Sequence, residues 1–161
     1  MQAQFSTPRL MLRLISEEDT VFIRALVNSE GWLQFIGNRN VYSDEDALRY
    51  IQKIKNTPEL FYWVVNLKGG NEPIGIISFL KRSYLDHFDI GFAFLPEFGG
   101  QGYALEATRE VLAEAEKQHE TLLASTIPPN KRSIHLLKKL GFRFEKEIEV
   151  EKETLHVYIY K

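Results

Sequence analysis

Four of the chain's ten glycines fall between residues 91 and 102, and three of them share one segment, Phe98-Gly-Gly-Gln-Gly-Tyr-Ala104. A backbone without Cβ turns sharply and lets a ligand come close. The segment joins a strand-like stretch to a helix-like one. The first turn of a helix carries unpaired N–H groups and partial positive charge. An anion is the guest such a segment suits, and a pyrophosphate could accept from several of those donors at once. A tight turn that needs glycine for its own sake is the alternative. Neither the G-x-G-x-x-G dinucleotide spacing nor the Gly-Lys-Ser/Thr of a P-loop is present.

Other chemistries find little footing. The histidines at 87, 119, 135 and 156 are dispersed, with no i, i+4 pair, so no metal site is expected. The absence of cysteine excludes disulfides, thiolate metal sites and a cysteine nucleophile. No serine nucleophile elbow occurs. Twenty basic and 22 acidic residues give a net charge of −2, which is no footprint for nucleic acid and no polybasic anchor for a membrane. Apolar stretches such as Leu60–Val65 are far shorter than the roughly 20 residues of a membrane helix. The start, Met-Gln-Ala-Gln-Phe-Ser, lacks a signal peptide's basic and apolar regions. A cytoplasmic location is expected. At 161 residues, 44% apolar and 26% charged, residues 1–161 are expected to form a single domain.

The elements that must position the glycine segment can be read from periodicity. Residues 9–14 alternate as a half-buried strand. Ser16 and Asp19 form a capping box opening a helix from Glu17 to about Asn28, and Ser43 caps a second from Asp44 to Asn56. Ser29–Val41 has no clean period and reads as a loop or short helix bearing aromatics. Leu60–Asn66 and Ile74–Leu80 flank the turn Lys68-Gly-Gly-Asn71 as a hairpin. Residues 87–95 alternate as a strand that Pro96 ends. A helix then runs to about Gln118, followed by a strand at Leu122–Ile127. A last helix, capped by Asn130, ends at Gly141. Strands at about Phe142–Val150 and Thr154–Tyr160 close the chain. The order βααβββαβαββ describes a mixed α/β fold around one twisted sheet.

The segment Asp89-Ile-Gly-Phe, then Leu95-Pro-Glu-Phe-Gly-Gly-Gln-Gly-Tyr-Ala-Leu-Glu-Ala107, resembles the acetyl-CoA loop of the GNAT superfamily of N-acetyltransferases. Asn130-Lys-Arg-Ser133, followed by Leu137-Lys-Lys-Leu-Gly-Phe142, resembles that family's second motif at the right distance. Thr7-Pro-Arg-Leu10 and Trp32-Leu-Gln-Phe-Ile-Gly37 extend the likeness over essentially the whole chain, toward the branch of the ribosomal-protein alanine acetyltransferases. The resemblance implies a mostly antiparallel sheet flanked by helices, with splayed central strands. It also implies transfer of an acetyl group from acetyl-CoA to a primary amine, by direct attack on the thioester.

On that resemblance, Phe92, Ala93 and Phe94 would offer backbone groups to the pantetheine arm. Gly99, Gly100, Gln101, Gly102, Tyr103 and Ala104 would wrap the pyrophosphate, and Asn130 would reach the coenzyme arm as well as capping its helix. The family pattern starts this loop with Arg or Gln where Gly99 stands here, which removes one polar contact near the phosphates. Asp89 would be the base that deprotonates the amine, directly or through water; an exposed or hydrogen-bonded strand carboxylate is the other reading. His87, two residues earlier, suits a proton relay, against a plain surface role. The family's usual Tyr or Ser donor, seven residues after the asparagine, is replaced by Leu137. The leaving thiolate then departs unaided, or takes a hydrogen bond from Ser133 or water, or catalysis has been lost. The last case would leave an acyl-CoA-binding sensor. Lys138 and Lys139 could meet the coenzyme's 3′-phosphate or simply be solvated. Trp32 and Phe35 are candidate walls of the acceptor pocket, or a plug between helices. Glu145, Glu147, Glu149, Glu151 and Glu153 make an acidic rim suited to a cationic acceptor such as a peptide N-terminus, or a solvated edge. The resemblance admits a homodimer.

Overall fold

The computed structural model describes residues 1–161. In chain order the elements are β1 (Gln4–Ser6), β2 (Leu10–Leu14), α1 (Thr20–Val27), α2 (Glu30–Phe35), α3 (Asp44–Asn56), β3 (Leu60–Leu67), β4 (Glu72–Leu80), β5 (Asp89–Phe94), α4 (Tyr103–Ala115), β6 (Leu122–Thr126), α5 (Lys131–Leu140), β7 (Arg143–Val150) and β8 (Glu153–Tyr160). One eight-stranded sheet, ordered β1-β2-β3-β4-β5-β6-β8-β7, runs through the molecule. Its neighbours pair antiparallel except β5 and β6.

Local chemistry accounts for the element ends. Ser43 Oγ accepts from the Asp46 N–H, and Asp44, Glu45 and Asp46 fill the first turn of α3 while Lys53 and Lys55 fill its last. Each charge therefore complements the helix dipole. The Ser16–Asp19 box forms, with the Ser16 N–H donating to Asp19 at 2.8 Å. It opens a single 3-10 turn over Glu17–Asp19 before α1 begins. Two elements lie outside the expected order: the three-residue edge strand β1, too short to show a period, and α2, where a loop or short helix was the reading. The strand expected over 87–95 shortens to Asp89–Phe94, and the helix expected to reach Gln118 stops at Ala115.

Alternation divides the buried side chains between the two faces of the sheet. Trp63, Val65, Ile77, Phe79 and Ile90 pack with Ala107, Val111 and Leu112 of α4 and with Leu137 and Leu140 of α5. Val64 and Ile76 face the other way, onto Ile23 and Leu26 of α1 and Ala47 and Ile51 of α3. α4 and α5 thus cover one face of the sheet, α1 and α3 cover β3 and β4 on the other, and beyond them Leu123, Val157 and Ile159 pack with Leu85 instead of a helix.

Candidate active site

β5 stays paired with β4 along its whole length, from Leu80↔Asp89 to Gly75↔Phe94. β6 stays paired with β8 from Leu122↔Tyr160 to Thr126↔His156. Between β5 and β6 only Asp89↔Leu123 are in register, closed by the Leu123 N–H donating to the Phe88 carbonyl at 2.9 Å. Beyond that point the strands part, leaving a wedge with Asp89 at its apex. The Leu95 N–H donates to Ile74 on β4, so alternation turns the odd-numbered backbone groups of β5 toward β4 and those of Ile90, Phe92 and Phe94 into the wedge. Ala93, expected to offer backbone groups as well, therefore spends them on β4, and its side chain packs against the α1–α3 cluster.

The glycine segment closes the open end of β5. Pro96–Phe98 make one 3-10 turn, then Gly100 (φ 75°) and Gly102 (φ 81°) adopt left-handed backbone that other residues resist. The first bond of α4 runs from the Glu106 N–H to the Gly102 carbonyl, and no side chain caps the helix. The N–H groups of Gly100, Gln101 and Gly102 consequently have no partner in the protein. Polar backbone left unpaired at a strand edge and in an adjoining loop is what a ligand rich in phosphate and amide groups requires. The residues present therefore fit a coenzyme of the CoA type.

A brace holds the loop from behind. Arg9 Nε pairs with Glu106 at 2.8 Å, and its NH1 donates to the Gln101 carbonyl at 2.9 Å. The Thr7 hydroxyl and the Arg9 N–H donate to the other Glu106 oxygen at 2.5 and 3.1 Å, and the guanidinium lies 4.4 Å above the Tyr103 ring. Burial pushes the Glu106 carboxyl up, but the bonds from Thr7 and Arg9 outweigh it and hold the group below its ordinary value. Glu106 stands 99 positions from Thr7 and 97 from Arg9, so no local pattern joins it to them.

Asp89 is 3% exposed. Its carboxylate accepts from Arg82 Nε at 3.0 and 3.2 Å. Burial raises its pKa, and the Arg82 charge opposes that without cancelling it. A buried acid calls for a cationic partner, and Arg82, seven positions earlier, supplies it through the fold, with no sequence motif to announce the pairing. His87 is exposed and precedes the strand, so pleat alternation does not carry it onto the face of Asp89. Asn130 Oδ1 accepts from the Ser133 N–H at 3.3 Å, capping α5, and Ser133 is half-buried in that first turn. Leu137 is 1% exposed and lies in the main core, so the aliphatic side chain there is used for packing. Trp32, read as a pocket wall or a plug, packs at 4% exposure with the α1–α3 cluster, and the Arg39 guanidinium is 5.8 Å from its ring. Phe35 is half-buried at the end of α2. Lys138 and Lys139 are exposed in the last turn of α5. The glutamates lie along the exposed outer strand β7, its turn into β8 and the start of β8, and the Glu147 carboxylate lies 3.1 Å from the His156 ring nitrogen Nε2.

The profile of the acetyltransferase (GNAT) domain family matches residues 9–143. An uncharacterized N-acetyltransferase of Bacillus subtilis strain 168, YnaD, is 28% identical over 142 residues, which cover 87% of this chain and 82% of the relative. Among solved structures, the ribosomal-protein-S5-alanine acetyltransferase of Vibrio fischeri superposes with a TM-score of 0.80 at 21% identity, covering 99% of this chain and 96% of that one. RimL, a ribosomal L7/L12 α-N-protein acetyltransferase solved in complex with coenzyme A, superposes with a TM-score of 0.81 at 17% identity, covering 96% and 94%. At these identities the structural likeness is one of fold.

Proposed function

The chain belongs to the GNAT acetyltransferase family, so it is an acetyl-CoA-dependent N-acetyltransferase, and on that premise we propose how its residues serve acetyl transfer to a primary amine. The acceptor is read as a protein N-terminus or a small-molecule amine. The observation that carries the reading is the wedge between β5 and β6, open beyond Asp89↔Leu123 and ending on three unpaired loop N–H groups.

In this reading Gly99, Gly100, Gln101, Gly102, Tyr103 and Ala104 enclose the diphosphate through main-chain N–H groups and the start of α4. Phe92 and Phe94 offer their wedge-facing backbone groups to the pantetheine arm, and Ala93 anchors the strand to β4. Acetyl-CoA supplies a thioester whose leaving group is a thiolate, near pKa 8.5 as the free thiol. The acceptor arrives as an ammonium and must lose a proton before its nitrogen has a lone pair. Asp89 takes that proton through a bridging water. Burial makes it a stronger base than an ordinary aspartate, and Arg82 keeps it oriented at the apex. The Ser133 hydroxyl, in the first turn of α5, is read as the hydrogen-bond donor to the leaving thiolate. With no cysteine in the chain, no acetyl-cysteine stage is available. Residues 1–161 act as one domain in the cytoplasm; no helix is long and apolar enough to cross a membrane.

The test is thiol release from acetyl-CoA, followed across N-terminal peptides, polyamines and aminoglycosides. Amine-dependent release with an acetylated product is the expected result. Coenzyme binding without turnover on any amine would defeat the assignment of the catalytic residues.

A further inference from the structure

The glycine loop touches two arginines, one at each end. A Cβ built on Gly102 would lie 3.4 Å from Arg9 NH2, and one built on Gly99 would lie 3.0 Å from Arg132 NH2 and 3.3 Å from its NH1. The two cations differ in what they are free to do. Arg9 is neutralised by Glu106 and committed to the Gln101 carbonyl. Arg132 takes part in none of the ion pairs of the protein.

Its side chain is exposed, and the charges around it are of its own sign. The first turn of α5 has no acid and carries Lys131 and Arg132, where the helix dipole is positive. The first turn of α3, by contrast, carries three acids. Arg132 also leans onto a loop whose own free groups, the N–H donors of Gly100, Gln101 and Gly102, are positive. An anion is the missing partner of all of them. Gly99 completes the case. Its backbone (φ −71°, ψ 155°) is open to any residue, so conformation does not demand glycine there. What the missing side chain provides is room, for the guanidinium and for the Pro96 carbonyl, which would lie 3.3 Å from the same Cβ.

We propose that Arg132, folded over Gly99, is the cationic ligand of the coenzyme's diphosphate. The assignment rests on the coenzyme site described above and adds to it a residue from a different element. A guanidinium presents a planar fork of donors that matches phosphate oxygens.

Equilibrium binding measured by calorimetry tests it. Arg132→Ala is expected to weaken CoA on the order of tenfold or more, the scale of a hydrogen bond to a charged group. Dephospho-CoA should weaken by the same factor and pantetheine should be unaffected. Arg132→Lys, which keeps the charge without the fork, should fall between. Gly99→Val should displace the guanidinium, weaken CoA comparably, and add little to Arg132→Ala in the double variant. Wild-type affinity for CoA in Arg132→Ala would overturn the proposal. So would a loss confined to CoA and absent with dephospho-CoA, which points to the 3′-phosphate, or an equal loss with pantetheine. If the wild-type protein binds no CoA, the coenzyme reading itself fails; if wild type and Arg132→Ala bind it equally, only this assignment does.

Discussion

At the scale of single residues, Asp89 is where burial, charge and position coincide. It is the one residue of β5 in register with β6, and burial raises its pKa against the opposing Arg82 charge. The acid limb of the kcat–pH profile is therefore expected above the ordinary aspartate range. Asp89→Asn should lower kcat by about 10²–10⁴, the usual contribution of a general base, and remove that limb. A profile and rate unchanged from wild type would exclude the role. Stability follows with a definite sign. A raised pKa means that the folded chain binds the proton more tightly than the unfolded one. The corresponding stability is fully present below the ordinary aspartate value and is lost as pH rises through the raised one. The Asn variant lacks this loss, so its melting temperature relative to wild type should rise with pH across that interval.

At the scale of elements, the loop is built between β5 and α4 but held by the turn that joins β1 to β2. The link is the Arg9–Glu106 pair, with side-chain exposures of 45% and 20%. A pair this open to solvent contributes little to global stability, about 1 kcal/mol or less. Its larger effect is to fix the Gln101 carbonyl, and with it the direction of the neighbouring N–H groups. Arg9→Ala is expected to shift the melting temperature by only a few degrees and to weaken CoA several-fold. Calorimetric binding beside a melting curve separates the two, and a large melting shift with unchanged affinity would mean that the brace serves the fold alone. The same scale explains what periodicity missed. α2 is six residues long and β1 three, too short for a repeat to show. The capped helix α3, by contrast, was legible at both ends because Ser43, its acids and its apolar stripe all agree.

At the scale of the whole molecule, the wedge is a seam between two intact sub-sheets, β1–β5 and β6–β8, joined by one registered pair of residues and, on one face, by the core under α4 and α5. A ligand lying in the seam would bridge them and stabilise the folded state by mass action. At 100 times its Kd, CoA should contribute about 2.7 kcal/mol. For a chain of this size that is a rise of roughly 5–10 °C in the melting temperature. No shift at saturating CoA would count against the seam as the coenzyme's place.

The amino-acid order by itself determined the elements long enough to show a period or a cap, and the glycine segment whose residue types suit a tight turn or an anion. These are properties of neighbours along the chain: propensity, alternation, and the conformations that only glycine adopts freely. Pairings across the sequence were decided by the tertiary structure. Asp89 could be identified as an acid on a strand, but only the parting of β5 from β6 made it an apex, and only the fold brought Arg82 to its carboxylate. Trp32 was open to two readings, a pocket wall or a plug between helices, and packing drew it into the α1–α3 core. Gly99 read as a lost polar contact until the start of α5 laid Arg132 over it. Each of these depends on which surfaces meet when the sheet is clamped by its helices, and a one-dimensional pattern does not contain that distance.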